Sequence, residues 1–346
     1  MTYEDVLKNA RTCSGPYCKA CPVCNGRACG NQMPGPGAKG SGDVAVRNYE
    51  AWQKIRINMD TICENKEADT SSYFFGRKLA LPVMAGPVGA VQLHYGDKFD
   101  DVAYNDILVP AAAEAGILAF TGDGTNPKVV EAAAASIKAN GGVGIPTIKP
   151  WDLKTMEEKF ALVKDADPLA IAMDVDAAGL PFLQGLTPPA GSKTKEELAD
   201  VIKAAGKPFI VKGIMTVCGA LAAKEAGAKA IVVSNHGGRV QDQTPSTAEV
   251  LEQIKDAVGD SMMVLVDGGI RSGLDVFKAL ALGADAVLIA RPYVTAVYGG
   301  GAEGVRLLTE KLQKELASTM KMCGVHSLSE INRDCLFKPQ SQYVRF

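Results

Sequence analysis

Residues 230–239 read AIVVSNHGGR. The apolar run Ala230–Ser234 is too short for a typical helix and does not alternate apolar with polar residues, the pattern of a strand buried on both faces. It ends in small residues that leave His236, one of only three histidines in the chain, accessible at the strand end. A two-face-buried strand delivering a polar group at its C-terminal end is the repeating unit of parallel α/β folds.

The same unit recurs in both directions. Toward the N-terminus the runs are Leu81–Ala85, Ile117–Thr121, Gly142–Pro146, Ala170–Val175 and Pro208–Lys212; toward the C-terminus they are Met263–Asp267 and Ala286–Ala290. Ala-, Lys- and Glu-rich stretches of helical character separate them, among them Lys195–Ala205, Ala248–Val258 and Leu274–Leu282. After the last run, the amphipathic stretch Gly304–Met322 supplies a final helix. Eight strand–helix alternations predict an α/β fold, a single (β/α)8 TIM barrel, with a doubly wound open sheet as the alternative.

The barrel occupies residues 46–346 of this reading, and residues 1–45 form a Cys-rich N-terminal extension. The extension holds five of nine cysteines, then the Pro/Gly-rich loop MPGPGAKGSG at 33–42. The 346 residues are 47% hydrophobic and 22% charged with a formal net charge of −2, the composition of a soluble globular chain and not of a disordered one. The small net charge argues against generic binding to nucleic acid or an anionic membrane. No apolar run approaches the roughly 20 residues that span a bilayer, and the start MTYEDVLKNA lacks a signal-peptide core, so a cytoplasmic location is expected.

A barrel of this kind places its chemistry just beyond the C-terminal ends of the strands. After the sixth run, His236 is a natural general base, and Arg239 offers a planar fork for a carboxylate. The fourth run ends Asp174-Val175-Asp176, where a period of two puts both carboxylates on one face and lets one orient the histidine; helix capping is the alternative. Lys212 closes the fifth run, a costly place for a cation unless it meets an anion or electron-rich ligand; a snorkelling lysine is the alternative. Asp267-Gly268-Gly269-Ile270-Arg271 and Ala290-Arg291-Pro292 follow the last two strands, where such barrels commonly bind phosphate. Tight turns with surface arginines are the plainer reading.

Ser234–Arg239, Asp267–Arg271 and Ala290-Arg291-Pro292 together resemble the FMN-dependent α-hydroxy-acid oxidases and dehydrogenases, the group of glycolate and lactate oxidase. The resemblance extends from about Asn48 to Phe337. It implies FMN as cofactor, a small carboxylate substrate and a homo-oligomer. It also implies roles by position. His236 takes the substrate proton and Asp176 pairs with it, Arg239 holds the substrate carboxylate, and Lys212 lies against the flavin N1/O2 region. Pro87, Val88 and Gly89 contact the isoalloxazine through backbone, Thr121 and Ser234 touch the flavin, and Asp174 stands where the family has threonine. Asp267, Gly268, Gly269, Arg271, Ala290 and Arg291 bind ribityl and phosphate.

Some family features are missing. The usual Gln-x-Tyr after the third strand is replaced within Ile145–Pro150 (IPTIKP), and no arginine follows Asp176 in Ala177-Ala178-Gly179-Leu180. The family's N-terminal substrate tyrosine has no secure counterpart, because the cysteines occupy that region. Flavin binding is therefore better supported than the substrate's identity. An FMN-dependent isomerase of the type 2 isopentenyl-diphosphate kind is the alternative function, for which Lys149 leaves room. A flavoprotein without its own substrate is a third, against which His236 and Arg239 both speak.

Cys13, Cys18, Cys21, Cys24 and Cys29 are separated by four, two, two and four residues. Cys18-x2-Cys21-x2-Cys24 is similar to the start of a bacterial ferredoxin run. Cys18, Cys21, Cys24 and Cys29 are the candidate ligands, for an iron–sulfur cluster or, equally on spacing, for zinc. Free cysteines in a loop are the alternative.

Overall fold

The structure is a computed structural model that describes residues 1–183, 185–187 and 190–338; the remainder of the expected 46–346 unit lies outside the described residues. The eight buried runs become β1 Val83–Ala85, β2 Leu118–Thr121, β3 Ile145–Ile148, β4 Ile171–Asp174, β5 Phe209–Ile214, β6 Ala230–Val233, β7 Met263–Val266 and β8 Ala286–Ile289. Each pairs with the next, β8 pairs with β1, and all the pairings are parallel, so the sheet closes into a (β/α)8 barrel.

Alternation along these short strands divides the core in two. Met84, Leu118, Phe120, Ile145, Ile210, Val232, Leu265 and Leu288 fill the barrel interior. Their neighbours Val83, Ala119, Val211, Ile231, Val264 and Val287 face outward into the helical layer. An antiparallel ribbon, Ser72–Phe74 with Arg77–Leu79, precedes β1. It adds Phe74 and Leu79 to the interior cluster, beside Val143, Ala170 and Met263 at strand beginnings, and so closes the N-terminal mouth of the barrel.

Several boundaries differ from the sequence reading, and three of the differences have a structural cause. The third strand begins at Ile145 rather than Gly142, because Gly141 and Gly142 adopt left-handed φ values of 65° and 77° to turn the chain out of the preceding helix, Pro127–Ala139. The fifth continues past Lys212 to Ile214 through a register shift at Gly213. The last helix starts at Arg291, not Gly304, and runs to Met322 with a break at Gly301. Proline at its second position is compatible with an early start, since the first turn needs no N–H from that residue.

The extension is fastened to this frame at both ends. Helix Tyr3–Cys13 opens with a reciprocal Thr2–Asp5 capping box and lays Val6 and Ala10 against the C-terminal helix. Helix Asp43–Lys54, which runs across residue 45, abuts the loop after β7, where Trp52 Nε1 donates to the Gly268 carbonyl at 2.8 Å.

A Cβ at Gly299 would stand 1.9 Å from the Val6 carbonyl oxygen. Gly299→Val is therefore expected to unseat helix Tyr3–Cys13 at a cost of about 1–3 kcal/mol while leaving the barrel folded. Hydrogen exchange would read this as lost protection over residues 3–13; unchanged protection there would contradict the packing.

Candidate active site

A cavity of about 430 Å³ opens at the C-terminal rim of the barrel. Of the residues singled out from sequence, Pro87, Val88, Gly89, Asp174, Lys212, His236, Arg239, Asp267, Gly268, Gly269, Arg271, Ala290 and Arg291 line it. Thr121, Asp176 and Ser234 stand behind that lining: Thr121 and Ser234 are buried, and Asp176 reaches His236.

The centre is a chain of polar contacts. His236 Nδ1 lies 3.0 Å from Asp176 Oδ1. Ser234 Oγ accepts from Lys212 Nζ and from the His236 backbone N–H, both at 3.1 Å. Lys212 Nζ also lies 3.5 Å from Asp267 Oδ2. His236 adopts φ 55°, a left-handed conformation uncommon for a side chain of its size, which marks the turn as constrained. Gly213, at φ 103°, is required for a second reason: a Cβ there would meet the Asp176 carboxylate at 2.5 Å. The β5 irregularity thus makes the space in which Asp176 sits.

Period-two alternation does not bring the two carboxylates together, because β4 ends at Asp174 and the chain enters a 3-10 turn at Val175–Gly179. Asp176 turns to His236, whereas Asp174 Oδ2 accepts from Lys149 Nζ at 2.5 Å. Lys149 lines the cavity at the end of β3. A second pair stands beside it. Asp123 accepts from Lys159 Nζ at 2.6 Å, from Trp151 Nε1 at 2.8 Å and from the Lys149 backbone N–H at 2.9 Å. Sequence reading missed Asp123, although its Gly122-Asp123-Gly124 setting beyond β2 was a local signal; Lys159 gave none, as it lies within a helix.

Arg239 is differently placed from expectation. Its Nη1 donates to the Gly35 and Gly37 carbonyls at 2.5 and 3.0 Å, and its Nη2 lies 3.2 Å from His94 Nε2. The extension's Pro/Gly loop therefore occupies part of the guanidinium thought to be reserved for a ligand. Gly269 also has a packing role: a Cβ there would stand 2.2 Å from the Asn48 carbonyl oxygen, so the glycine admits helix Asp43–Lys54. Arg271 donates Nε to the Cys24 carbonyl at 2.6 Å, and Arg291 donates Nη2 to the Gly237 carbonyl at 3.0 Å. Each retains further N–H donors.

Burial and neighbouring charge set the titration of the centre. Burial pushes His236 well below its ordinary range, and Lys212, Lys149 and Arg239 push the same way against Asp174. Burial raises Asp176, with Lys212 and Lys149 opposing it. For Lys212, burial favours the neutral amine, but Asp267, Asp176 and Asp174 outweigh it and raise the pKa. The rim thus holds a neutral imidazole beside a charged ammonium.

Cys18, Cys21, Cys24 and Cys29 line a second, small cavity that shares Tyr95 and Arg291 with the rim cavity. Among the described residues no group of three or more His, Cys, Asp or Glu side chains is placed to hold a metal ion, so neither the iron–sulfur nor the zinc expectation is met as the thiols stand.

The family described as FMN-dependent dehydrogenase matches residues 36–182 and 187–338. The chain belongs to that family. It is 47% identical over 127 residues to a peroxisomal (S)-2-hydroxyacid oxidase of Arabidopsis thaliana, a match covering 37% of this chain and 35% of the relative. An L-lactate dehydrogenase of Caulobacter sp. (strain K31) is 47% identical over 131 residues, covering 38% and 34%. These matches span about a third of the curated relatives' length. Solved structures are similar over nearly the whole chain. A mandelate oxidase with (S)-2-phenylpropionate has TM-score 0.79 and 29% identity, covering 97% of each chain. A Pediococcus acidilactici protein assigned as a lactate oxidase has TM-score 0.81 and 25% identity, covering 98% and 95%. The comparisons do not favour the isomerase alternative.

The side chains of Lys159 and Asp123 are 8% and 0% exposed. Lys159→Ala leaves a buried, uncompensated carboxylate and is expected to cost about 3–5 kcal/mol in denaturant unfolding. A loss below about 1 kcal/mol, the range of solvated pairs, would contradict the closure of this side of the rim.

Proposed function

We propose that the chain is an FMN-dependent oxidoreductase that converts a 2-hydroxy acid to the 2-oxo acid. The observation that carries this reading is the His236–Asp176 contact at 3.0 Å on the wall of the rim cavity. It occupies Nδ1 and leaves Nε2 as the nitrogen that can take a proton from a molecule in the cavity.

The rim suits a flavin. Thr147 Oγ1, Asp174 Oδ1 and Asp267 Oδ1 are buried oxygens without a hydrogen-bond partner, and all three residues line the cavity. Buried acceptors of this kind are costly unless a ligand satisfies them. Ribityl hydroxyls and the flavin ring N–H are donors of the right type. Asp267, Gly268, Gly269, Arg271, Ala290 and Arg291 would hold ribityl and phosphate. Lys212, Pro87–Gly89, Asp174, Thr121 and Ser234 would surround the ring. Bound there, FMN supplies a two-electron acceptor.

The protein's own part is proton handling and orientation. His236 Nε2 receives the proton that leaves the substrate, and Asp176 fixes the ring and stabilises the imidazolium that results. Ser234 Oγ holds Lys212 Nζ, whose positive charge is placed to offset negative charge gathered on the reduced cofactor. Arg239, with its remaining donors, and Lys149 are the cations available to a substrate carboxylate. A cytoplasmic, homo-oligomeric enzyme without nucleic-acid or membrane partners completes the proposal, supported by the near-neutral charge and the family likeness. Among the described residues no helix is long and apolar enough to cross a membrane.

Anaerobic mixing with a panel of 2-hydroxy acids tests the reaction: bleaching of the flavin supports it, and no bleaching by any member contradicts it. His236→Ala is expected to keep bound flavin but slow its reduction by about 10²–10⁴-fold or more. Normal reduction by that variant would remove His236 from the mechanism. Because the base must be neutral and its pKa is depressed, the acid limb of kcat/KM should fall below pH 6.5. A limb at or above 6.5 would contradict the depressed pKa.

A further inference from the structure

Only one of the chain's three histidines, His236, enters the reaction just described. His94 is 4% exposed and lines the same rim cavity, yet no step uses it. It sits in the short helix Val91–Tyr95 that follows β1. Asp101 holds the start of that helix, its carboxylate accepting from the Ala90 and Val91 backbone N–H groups at 3.0 and 2.9 Å. The Phe182 ring, also on the cavity wall, lies 5.7 Å from the imidazole at an interplanar angle of 48°. The imidazole is thus placed from its backbone and from its face.

The polar contacts of that ring conflict. The Gly35 backbone N–H points at Nδ1 from 3.0 Å, and an Arg239 Nη2–H points at Nε2 from 3.2 Å. Both neighbours are donors. A neutral imidazole has one acceptor nitrogen, and an imidazolium has none. Burial, with the Arg239 charge adding to it, pushes His94 down to about 3, so the ring is neutral. One of the two contacts is therefore a donor facing a donor.

Freedom of movement decides which. Gly35 is packed so closely on Tyr17 that a Cβ would stand 2.8 Å from it, and its carbonyl is held by Arg239 Nη1, so its N–H cannot turn aside. A guanidinium on a flexible stem can. Nδ1 therefore accepts from Gly35, and the ring proton stands on Nε2. The cavity wall then carries two N–H donors whose nitrogens are 3.2 Å apart, and among the described residues Nε2 has no other hydrogen-bond partner. Leaving such donors unpaired is costly, and one anionic oxygen that accepts from both removes the conflict.

We propose that His94 is a substrate-binding residue whose Nε2–H, together with an Arg239 Nη2–H, seats one oxygen of the substrate carboxylate. The inference rests on the 2-hydroxy-acid reading, in which Arg271 and Arg291 serve the cofactor phosphate and leave this pair to the substrate. It also accounts for a chain that recognises a carboxylate with no arginine at residues 177–180, just after Asp176.

The test reads the tautomer and the anion affinity of the full-length protein supplied with FMN. Long-range proton–nitrogen NMR of histidine-labelled protein, with three rings to assign, should show His94 protonated at Nε2 and bare at Nδ1. Calorimetry is then run with oxalate and with phenylglyoxylate, two carboxylates of different bulk that carry no hydroxyl to oxidise. At least one should bind. His94→Asn keeps an acceptor for Gly35 but has no donor at the Nε2 position, and should weaken that binding by about tenfold or more while FMN affinity stays unchanged. His94→Gln brings an amide donor to the Nε2 position and should restore most of the affinity. A ring protonated at Nδ1, binding of neither carboxylate, full affinity in His94→Asn, equal loss in both variants, or loss of FMN together with the carboxylate would each overturn the proposal. The tautomer is read on the unaltered protein, so it decides even if a variant fails to fold. Flavin bleaching by 2-hydroxy acids, followed alongside, separates the two readings: bleaching without the clamp strikes out His94 alone, and the clamp without bleaching strikes out the reaction.

Discussion

Lys212 is a cation enclosed at the end of a barrel strand, 3% exposed, and much of the rim is arranged around the need to keep it charged. An isolated ammonium in that position would shed its proton or destabilise the fold. Asp267, Asp176 and Asp174 hold the charge in place. The same ammonium then depresses His236, so one buried lysine helps to supply a base that stays neutral. Lys149, just beyond β3, and Lys159, in the helix that follows it, repeat the device, each paired with an aspartate. The result is a site whose lysines and aspartates are paired among themselves, with several acceptor oxygens left over for a guest.

The extension is part of this site. Its loop carbonyls at Gly35 and Gly37 bind Arg239 and its Cys24 carbonyl binds Arg271, while Asn48, just beyond it, exchanges hydrogen bonds with Asn235 at 2.7 and 3.0 Å. A barrel rim is otherwise made of loops that rigid strands hold only at one end. Here a segment from the N-terminus reaches over them and fixes side chains that would be free to move. This arrangement occupies part of the Arg239 guanidinium and, on the function proposed, leaves Lys149 as a second cation for a carboxylate.

The barrel was legible in the sequence because two-face burial writes itself as short unbroken apolar runs, and eight of them left little freedom in topology. His236, Asp176, Lys212 and the loops after the last two strands were legible because a barrel puts strand ends at one rim. What local pattern could not carry was pairing. Lys149 with Asp174, Lys159 with Asp123 and Arg239 with Gly35 join residues 25, 36 and 204 positions apart, and nothing at either partner names the other. The third strand was misplaced by three residues because a Gly-Gly turn adjoins an apolar run, and composition does not say where the left-handed residues stop.

On the function proposed, this rim, with its arginine-bearing loops and unpartnered acceptors, is shaped to an anionic flavin. Equilibrium titration of flavin-free protein with FMN and with riboflavin tests it directly. One FMN per chain, bound more than about tenfold tighter than riboflavin, is the predicted result, since only FMN brings the phosphate that the two arginines await. Equal affinity for both, or binding of neither, would contradict it.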